Sequence, residues 1–149
     1  MDLFVFESKN VNDTESLGEK IAAAAYPGTV IALYGGLGMG KTAFTHGFVR
    51  GRGIDAEVSS PTFALVHEYQ GSPSVYHFDM YRVDGWDDLY STGFFDYIDM
   101  GGILVTEWSE NIEGALPENT LKVKFERGKN ENERIITVTG AGIYENFSC

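Results

Sequence analysis

The sequence predicts an α/β fold in three layers, with a mixed, mostly parallel central sheet and antiparallel additions. A buried strand, a glycine-rich loop and an amphipathic helix follow one another between residues 29 and 52. A second apolar, β-branched run lies at residues 103–105, as expected for another buried strand. Two alternating runs, residues 121–125 and 135–138, predict an antiparallel pair joined by a polar turn.

The first half of the chain gives clear element boundaries. Residues 3–6 predict an entering strand, and the polar run from Asn12 to Glu15 predicts the start of a helix with a carboxylate three residues on. Val30 to Tyr34 reads as a strand opened by a Pro-Gly turn. Residues 41–52 predict a helix, because Phe44 and Phe48 are four apart on one face and glycines follow.

In the second half, residues 63–69 and 75–81 predict two strands joined by a short loop, and hence an antiparallel hairpin. Apolar residues between positions 86 and 98 follow helical spacing, with a break between two short helices at Gly93. Ser109 predicts the cap of a further short helix that ends before Pro117.

Composition limits the class of protein. With 149 residues and 43% apolar side chains, we expect one domain spanning residues 1–149. A formal charge of −11 opposes direct binding to DNA, RNA or an anionic membrane, although basic partners can still recruit the chain to RNA. Cys149 is the only cysteine, which fits a reducing compartment. Without a signal-like or membrane-spanning run, we expect a cytoplasmic protein.

The most specific motif follows the strand at residues 30–34 and fits the phosphate-binding pattern G-x-x-x-x-G-K-[ST]. Glycines let successive backbone N–H groups face an anion, a lysine brings a charge to the β- and γ-phosphates, and the final hydroxyl reaches Mg²⁺. The strand, loop and helix order favours a P-loop NTPase-like fold over an ordinary turn. The nucleotide-binding residues predicted here are Gly35, Gly36, Leu37, Gly38, Met39, Gly40, Lys41, Thr42 and the adjoining Ala43.

Two carboxylates are candidates to complete this site. Asp79 and Glu107 each end a predicted strand, and ligands in open α/β sheets bind beyond the carboxyl ends of the strands. Phosphoryl transfer needs a carboxylate near Mg²⁺ and a group that orients the attacking water. Spacing alone does not assign these two roles, and a surface position is the ordinary alternative for either side chain.

Other side chains offer weaker signals. Ser60 and Thr62 flank a proline and are candidates for a loop that senses the γ-phosphate, or they cap a turn. Trp108 is either core or a wall beside the nucleotide. The histidines lack metal-ligand spacing and are interpreted as core or surface residues, and the arginines at 50, 52 and 82 are solvated unless they meet phosphate. No Asn-Lys-x-Asp motif is present, which favours adenine over guanine.

Four motifs in this order resemble the bacterial TsaE (YjeE) family over nearly the whole chain. They are the phosphate loop, the Ser-Pro-Thr-Phe run at residues 60–63, the His-Phe-Asp-Met-Tyr-Arg run at residues 77–82, and Glu107-Trp108. The resemblance implies a small ATPase that uses ATP and Mg²⁺. It also implies that this ATPase acts with a TsaB–TsaD pair to form N6-threonylcarbamoyladenosine at position 37 of tRNA and meets tRNA through that complex.

The resemblance also implies roles for individual residues. Lys41 and Thr42 would bind phosphate and Mg²⁺, Glu107 would join the metal shell, and Asp79 would support hydrolysis. Ser60 and Thr62 would belong to a mobile loop, with Trp108 beside the nucleotide. The chain departs from the family loop at Gly36, where an acidic residue is usual, and at Met39, where a small residue is usual. Phosphate binding by backbone N–H groups does not depend on either position.

Two other functions fit parts of the pattern. A nucleotide-gated adaptor would bind ATP and use hydrolysis only incidentally. A small-molecule kinase would need an arginine-rich lid, which 11 basic residues without a cluster do not suggest. We expect slow intrinsic hydrolysis for the ATPase, because no arginine finger is evident and partners often supply one.

Overall fold

A seven-stranded sheet organises the protein in a computed structural model that describes residues 2–36, 39–56, 58 and 66–140. The strands are β1 (Asp2–Ser8), β2 (Val30–Tyr34), β3 (Val66–Tyr69), β4 (Val75–Asp79), β5 (Ile103–Glu107), β6 (Leu121–Arg127) and β7 (Arg134–Gly140). The helices are α1 (Val11–Ala24), α2 (Lys41–Gly51), α3 (Trp86–Ser91) and α4 (Phe94–Asp99), and a 3₁₀ helix covers Ser109–Ala115.

The sheet order is β1-β7-β6-β2-β5-β4-β3. The four central strands, β6, β2, β5 and β4, are parallel, while β1, β7 and β3 pair in antiparallel fashion at the two sides. This arrangement confirms the predicted mixed sheet with antiparallel additions. It also brings the carboxyl ends of β2, β4 and β5 to one edge, where ligands bind in open α/β sheets.

Alternation along the central strands divides the core into two layers. On β5, Ile103 and Val105 face α1 and α2, whereas Leu104 faces the layer formed by α3, α4 and the 3₁₀ helix. Each of these three side chains is fully buried. Strands covered on both faces read as continuous apolar runs, which is the pattern that predicted β2 and β5. The three-layer architecture is thus confirmed.

Helices α1 and α2 pack at very short range. A Cβ built on Gly47 would lie 2.0 Å from the carbonyl oxygen of Glu15, and one on Gly18 would lie 2.2 Å from that of Phe44. Only glycine allows the backbones to approach this closely. The packing fixes α2, and therefore the loop that precedes it, against the rest of the domain.

Most predicted elements are present, with local differences. Helix α1 begins two residues before the predicted start, because the Asn10 side chain accepts a hydrogen bond from the Asp13 N–H at 2.9 Å. Ser109 is the first residue of the 3₁₀ helix rather than its cap, and its hydroxyl donates to the Thr106 carbonyl at 3.0 Å. Strand β4 ends at Asp79, and residues 63–65 of the predicted hairpin lie outside the described residues. Within the described ranges, no helix is long and apolar enough to span a bilayer.

Candidate functional site

The glycine-rich loop connects the carboxyl end of β2 to the amino end of α2. Gly35 has φ +137° and Gly40 has φ +101°, values that side-chain-bearing residues rarely adopt. A Cβ on Gly35 would also lie 3.0 Å from the carbonyl oxygen of Phe125. Gly36 is exposed with open space around it, and Leu37 and Gly38 lie outside the described residues. The glycines at both ends of the loop are therefore required by its backbone path.

Lys41 lies at the centre of the site. Its side chain is only 6% exposed, and its Nζ donates a hydrogen bond to the Gly35 carbonyl oxygen at 2.8 Å. The same Nζ lies 3.8 Å from Glu107 Oε1 and 5.4 Å from the centroid of the Trp108 ring. A buried ammonium group needs such partners, because an unpaired charge away from water is very costly. The contacts hold the Lys41 charge against the inner side of the loop.

Glu107 ends β5 and pairs with His77 on the neighbouring strand β4. His77 is fully buried, and its Nε2 donates to Glu107 Oε2 at 2.6 Å. Burial by itself raises the pKa of Glu107, but the hydrogen bond and charge of His77 and the charge of Lys41 outweigh burial. The pKa of Glu107 therefore lies below its ordinary value, and the carboxylate is ionised at neutral pH.

Asp79 lies directly beside Glu107 at the carboxyl edge of the sheet. The two residues form a register pair between the parallel strands β4 and β5. Asp79 is half-buried, and its Oδ1 accepts a hydrogen bond from the Tyr81 N–H at 2.9 Å. The Met80 N–H also donates a hydrogen bond to the Glu107 carbonyl oxygen at 3.0 Å. This bond fixes the direction of the chain after β4. Both predicted carboxylates thus reach one site, as strand topology requires.

Thr42 and Ala43 follow Lys41 in the first turn of α2. Thr42 is exposed and Ala43 is half-buried, so the hydroxyl of Thr42 is accessible at the helix amino end. Across the described part of the chain, no three His, Cys, Asp or Glu side chains are arranged to hold a metal ion by themselves. A metal at this site would need ligand oxygens from a bound molecule in addition to protein oxygens.

The Trp108 ring lies close to Lys41, which follows the loop, and to Tyr81, in the segment after β4. The Trp108 backbone lies in the left-handed region at φ 57°, which is uncommon for a residue with a large side chain. The ring packs 4.9 Å from that of Tyr81, and its centroid lies 5.4 Å from Lys41 Nζ. The indole is half-buried and lies beside the predicted site.

A second polar cluster lies where β2 ends and the loop begins. The Tyr34 hydroxyl donates a hydrogen bond to the Glu113 carboxylate, which also accepts one from Lys122 Nζ. Burial, followed by the hydrogen bond and charge of Glu113, raises the pKa of Tyr34 well above its ordinary value. The hydrogen bond from Lys122, followed by that from Tyr34, lowers the pKa of Glu113. This cluster ties β2 to β6 and to the 3₁₀ helix.

A cavity of about 420 Å³ opens beside the loop at Gly40 and Ala43. Its other walls come from the start of α1, including Asn10 and Asn12, and from Arg134 at the start of β7. Its size falls within the usual range for small-molecule sites. The sequence analysis missed these three polar residues, because they lie far along the chain from the motif and only the β1–β7 pairing brings them together.

The structure brings most of the predicted site residues together. Gly35, Gly40, Lys41, Asp79, Glu107 and Trp108 meet at one edge of the sheet. Leu37, Gly38, Ser60 and Thr62 lie outside the described residues. His77, interpreted from sequence as core or surface, is a core residue that contacts the site. Arg50 pairs with Glu15 and Glu19 on α1 instead, and Arg82 is exposed.

Comparison with known proteins gives consistent matches over most of the chain. Residues 8–136 match the family model described as "Threonylcarbamoyl adenosine biosynthesis protein TsaE". The chain is 40% identical over 141 residues to the TsaE protein of Bacillus subtilis, covering 94% of this chain and 87% of the relative. It is 35% identical over 131 residues to the TsaE protein of Treponema pallidum, covering 88% and 96%.

A solved structure extends the match to three dimensions. The crystal structure of Bacillus subtilis YdiB superimposes with a TM-score of 0.78 at 35% identity, covering 95% of this chain and 87% of the other. Sequence and fold therefore agree along nearly the same length.

Proposed function

Because the chain belongs to the TsaE family of threonylcarbamoyl adenosine biosynthesis proteins, we propose that it is a Mg²⁺-dependent ATPase acting in that tRNA modification. ATP binding and hydrolysis support repeated formation of N6-threonylcarbamoyladenosine at position 37 of tRNA. The chain works with a TsaB–TsaD complex in the cytoplasm and meets tRNA through that complex. Its charge of −11 opposes unassisted binding to the nucleic acid.

The position of Lys41 carries this proposal. Its Nζ is held inside the loop by the Gly35 carbonyl at 2.8 Å, at the amino end of α2. Backbone N–H groups of the loop and the helix dipole favour an anion at this end. A polyphosphate in the loop offers Lys41 anionic oxygens, which attract the ammonium group more strongly than a neutral carbonyl oxygen does. Lys41 therefore binds the β- and γ-phosphates.

The residues around Lys41 fit Mg²⁺. Thr42 offers an exposed hydroxyl and Glu107 an ionised carboxylate, and hard oxygen ligands of this kind suit the ion. Mg²⁺ usually takes only one or two protein ligands together with phosphate oxygens, which agrees with the lack of a complete metal cage among the described residues. When bound, the ion neutralises charge on the phosphates. His77 keeps the Glu107 carboxylate oriented toward the loop.

Asp79 is the residue proposed to support hydrolysis. Its carboxylate lies beside Glu107 at the strand ends, and only Oδ1 is engaged by the Tyr81 N–H among the contacts described. A carboxylate in this position can accept a hydrogen bond from water and orient it toward the terminal phosphate. The remaining catalysis comes from charge and positioning by the loop and Lys41.

The cavity beside Gly40 and Ala43 is the proposed site for adenine and ribose. It adjoins the loop, and the side chains of Asn10, Asn12 and Arg134 give it polar groups for a base and a sugar. Trp108 lies 5.4 Å from Lys41 Nζ and is proposed to wall the phosphate end. Ser60 and Thr62 complete the proposed set of nucleotide-binding residues.

A reconstituted assay tests this function. The assay combines the purified chain, the TsaB–TsaD pair of the same organism, tRNA, an activated threonylcarbamoyl donor, ATP and Mg²⁺, and modified tRNA is counted per TsaD over several turnovers. We expect omission of the chain, or Lys41→Ala, to abolish repeated turnover, whereas the control Lys20→Ala, at an exposed lysine on α1, retains it. Undiminished turnover with Lys41→Ala would contradict the proposal.

The same assay separates the ATPase from an adaptor. Asp79→Asn keeps an acceptor for the Tyr81 N–H but removes the negative charge, so ATP binding should persist while hydrolysis falls at least about tenfold. If hydrolysis resets the complex, this variant supports a first round of modification and fails in later rounds. Repeated turnover without hydrolysis would favour the adaptor. Phosphate transfer to a small metabolite would instead revive the kinase alternative.

A further inference from the structure

We propose that the surface formed by α3 and α4 is a docking site for a basic protein segment that inserts an apolar side chain. Three aromatic residues define this aromatic surface: Trp86, Tyr90 and Phe95. The Trp86 and Phe95 rings stack at 6.5 Å, and the Tyr90 and Phe95 rings lie 5.2 Å apart. Trp86 is 56% exposed and Tyr90 is 63% exposed. Clustered exposed aromatic side chains are typical of protein interfaces.

A groove runs beside this surface. It has a volume of about 130 Å³ and lies between α3 and the 3₁₀ helix. Its walls are largely apolar and include Val83, Trp86, Leu89 and Ile112, with Asn111 as a polar group at the side. Space of this size suits one side chain rather than a nucleotide. The groove and the aromatic surface share Trp86, so one partner can contact both.

Charge identifies the chemistry of the partner. The 17 residues from Val83 to Asp99, which include α3 and α4, hold five exposed Asp residues and no Lys, Arg or His. Asp84, Asp87 and Asp88 are exposed and line a depression together with Trp86. This charge repels RNA and anionic lipid and attracts Lys and Arg side chains. Aliphatic and guanidinium groups also pack well on exposed aromatic rings.

A chain of contacts joins the groove to the proposed nucleotide site. Asn111, which lines the groove, donates through Nδ2 to the carbonyl oxygens of Met80 at 2.8 Å and Tyr81 at 3.1 Å. The Tyr81 ring packs on Trp108, and Trp108 lies beside Lys41. Three residues, Asn111, Tyr81 and Trp108, therefore link a partner in the groove to Lys41, the lysine proposed to bind phosphate. The occupant of the docking site is then a basic region of the TsaB–TsaD pair, and this assignment rests on the proposed function.

The test is a binding measurement with the full chain and the purified TsaB–TsaD pair, by calorimetry with ATP and Mg²⁺ at low and high salt. Trp86→Ala removes the aromatic anchor, and Asp87→Lys reverses one charge of the depression. Leu3→Ala and Glu7→Lys are matched controls, because both residues are exposed on β1 at the opposite side of the sheet. Circular dichroism and ATP binding establish that each variant is folded.

We expect Trp86→Ala and Asp87→Lys each to weaken binding of the pair by at least about tenfold, with both controls within about twofold. Asp87→Lys should also reduce the salt dependence of binding, while ATP affinity stays unchanged. Wild-type affinity for the pair in both variants would overturn the docking site and leave the proposed function intact. If the wild-type chain binds tRNA in the same calorimetric measurement, and both variants lose that binding but still bind the pair, RNA is the occupant and the proposal is overturned too. If the wild-type chain does not bind the pair, the proposed function itself fails, and the docking assignment fails with it.

Discussion

His77 Nε2 lies 2.6 Å from Glu107 Oε2, so a fully buried imidazole directs the carboxylate that faces Lys41. The two residues are 30 positions apart and meet because β4 and β5 are neighbouring parallel strands. With one oxygen bound by His77, the other oxygen of Glu107 is turned toward Lys41 at 3.8 Å. His77 is therefore a positioning residue for the site.

Replacing His77 should affect both stability and metal dependence. His77→Leu leaves a buried carboxylate without its hydrogen-bond donor, which should lower the free energy of unfolding by about 1–3 kcal/mol in urea denaturation without nucleotide. The variant should also need more Mg²⁺ to bind ATP, as judged by calorimetry at several Mg²⁺ concentrations.

His77→Gln is the matched control, because an amide N–H can replace Nε2–H. It should recover most of the stability and Mg²⁺ response that the leucine variant loses. A leucine variant that matches the wild type in its Mg²⁺ requirement would show that His77 is only a core residue.

The site shows what sequence can and cannot predict here. The proximity of the glycine-rich loop, Asp79 and Glu107 was predictable, because all three follow or end strands and parallel topology brings those strand ends to one edge. The His77 contact was not, since a single histidine without metal spacing has no local signal. The cavity residue Arg134 was not predictable either, because it lies far from the loop in the sequence and only the register of β1 on β7 places it near α1.

The Glu113 carboxylate should titrate below the ordinary glutamate value. The hydrogen bond from Lys122 is the largest cause and that from Tyr34 is the next. Because the folded-state pKa is lowered, ionised Glu113 stabilises the fold above the ordinary carboxyl pKa, and this contribution is lost as pH falls through the folded pKa. Carbon-13 chemical shifts of the side-chain carboxyl, followed against pH, measure it directly.

Lys122→Met should raise the pKa of Glu113 toward the ordinary value, and Tyr34→Phe should raise it by a smaller amount. Lys129→Met serves as the control, since it removes a lysine from the turn between β6 and β7, which holds no described bond to Glu113. An unchanged pKa in the Lys122 variant would show that the hydrogen bond is not formed in solution.

The packing of α1 on α2 predicts a large cost for a single methyl group. In Gly47→Ala, the added Cβ would meet the Glu15 carbonyl oxygen at 2.0 Å, and backbone cannot move aside cheaply. We expect the free energy of unfolding to fall by at least about 2 kcal/mol in urea denaturation. Gly114→Ala is the control, because nothing lies within 4 Å of a Cβ there, and it should change stability by less than about 0.5 kcal/mol.

This contact also marks a limit of the sequence analysis. The buried stripe of α2 was predicted from the spacing of Phe44 and Phe48, and both are fully buried. The same helix carries Gly47, which reads as a weak helix former rather than as a contact point. Helical spacing reports which face is apolar, whereas the distance between two helices depends on which small residues meet across the interface.

Trp108 should report nucleotide binding through its fluorescence. Its indole lies 5.4 Å from Lys41 Nζ, and the proposed binding of phosphate by Lys41 changes the charge next to the ring. Titration with ATP and Mg²⁺ should therefore change the emission of the wild-type chain, which has two tryptophans.

Two variants identify the tryptophan that responds. Trp86→Phe removes the exposed indole of α3 and should keep the change. Trp108→Phe should abolish it while calorimetry still detects ATP binding. A response that follows Trp86 instead would place the nucleotide away from the lysine and would contradict the site described for this chain.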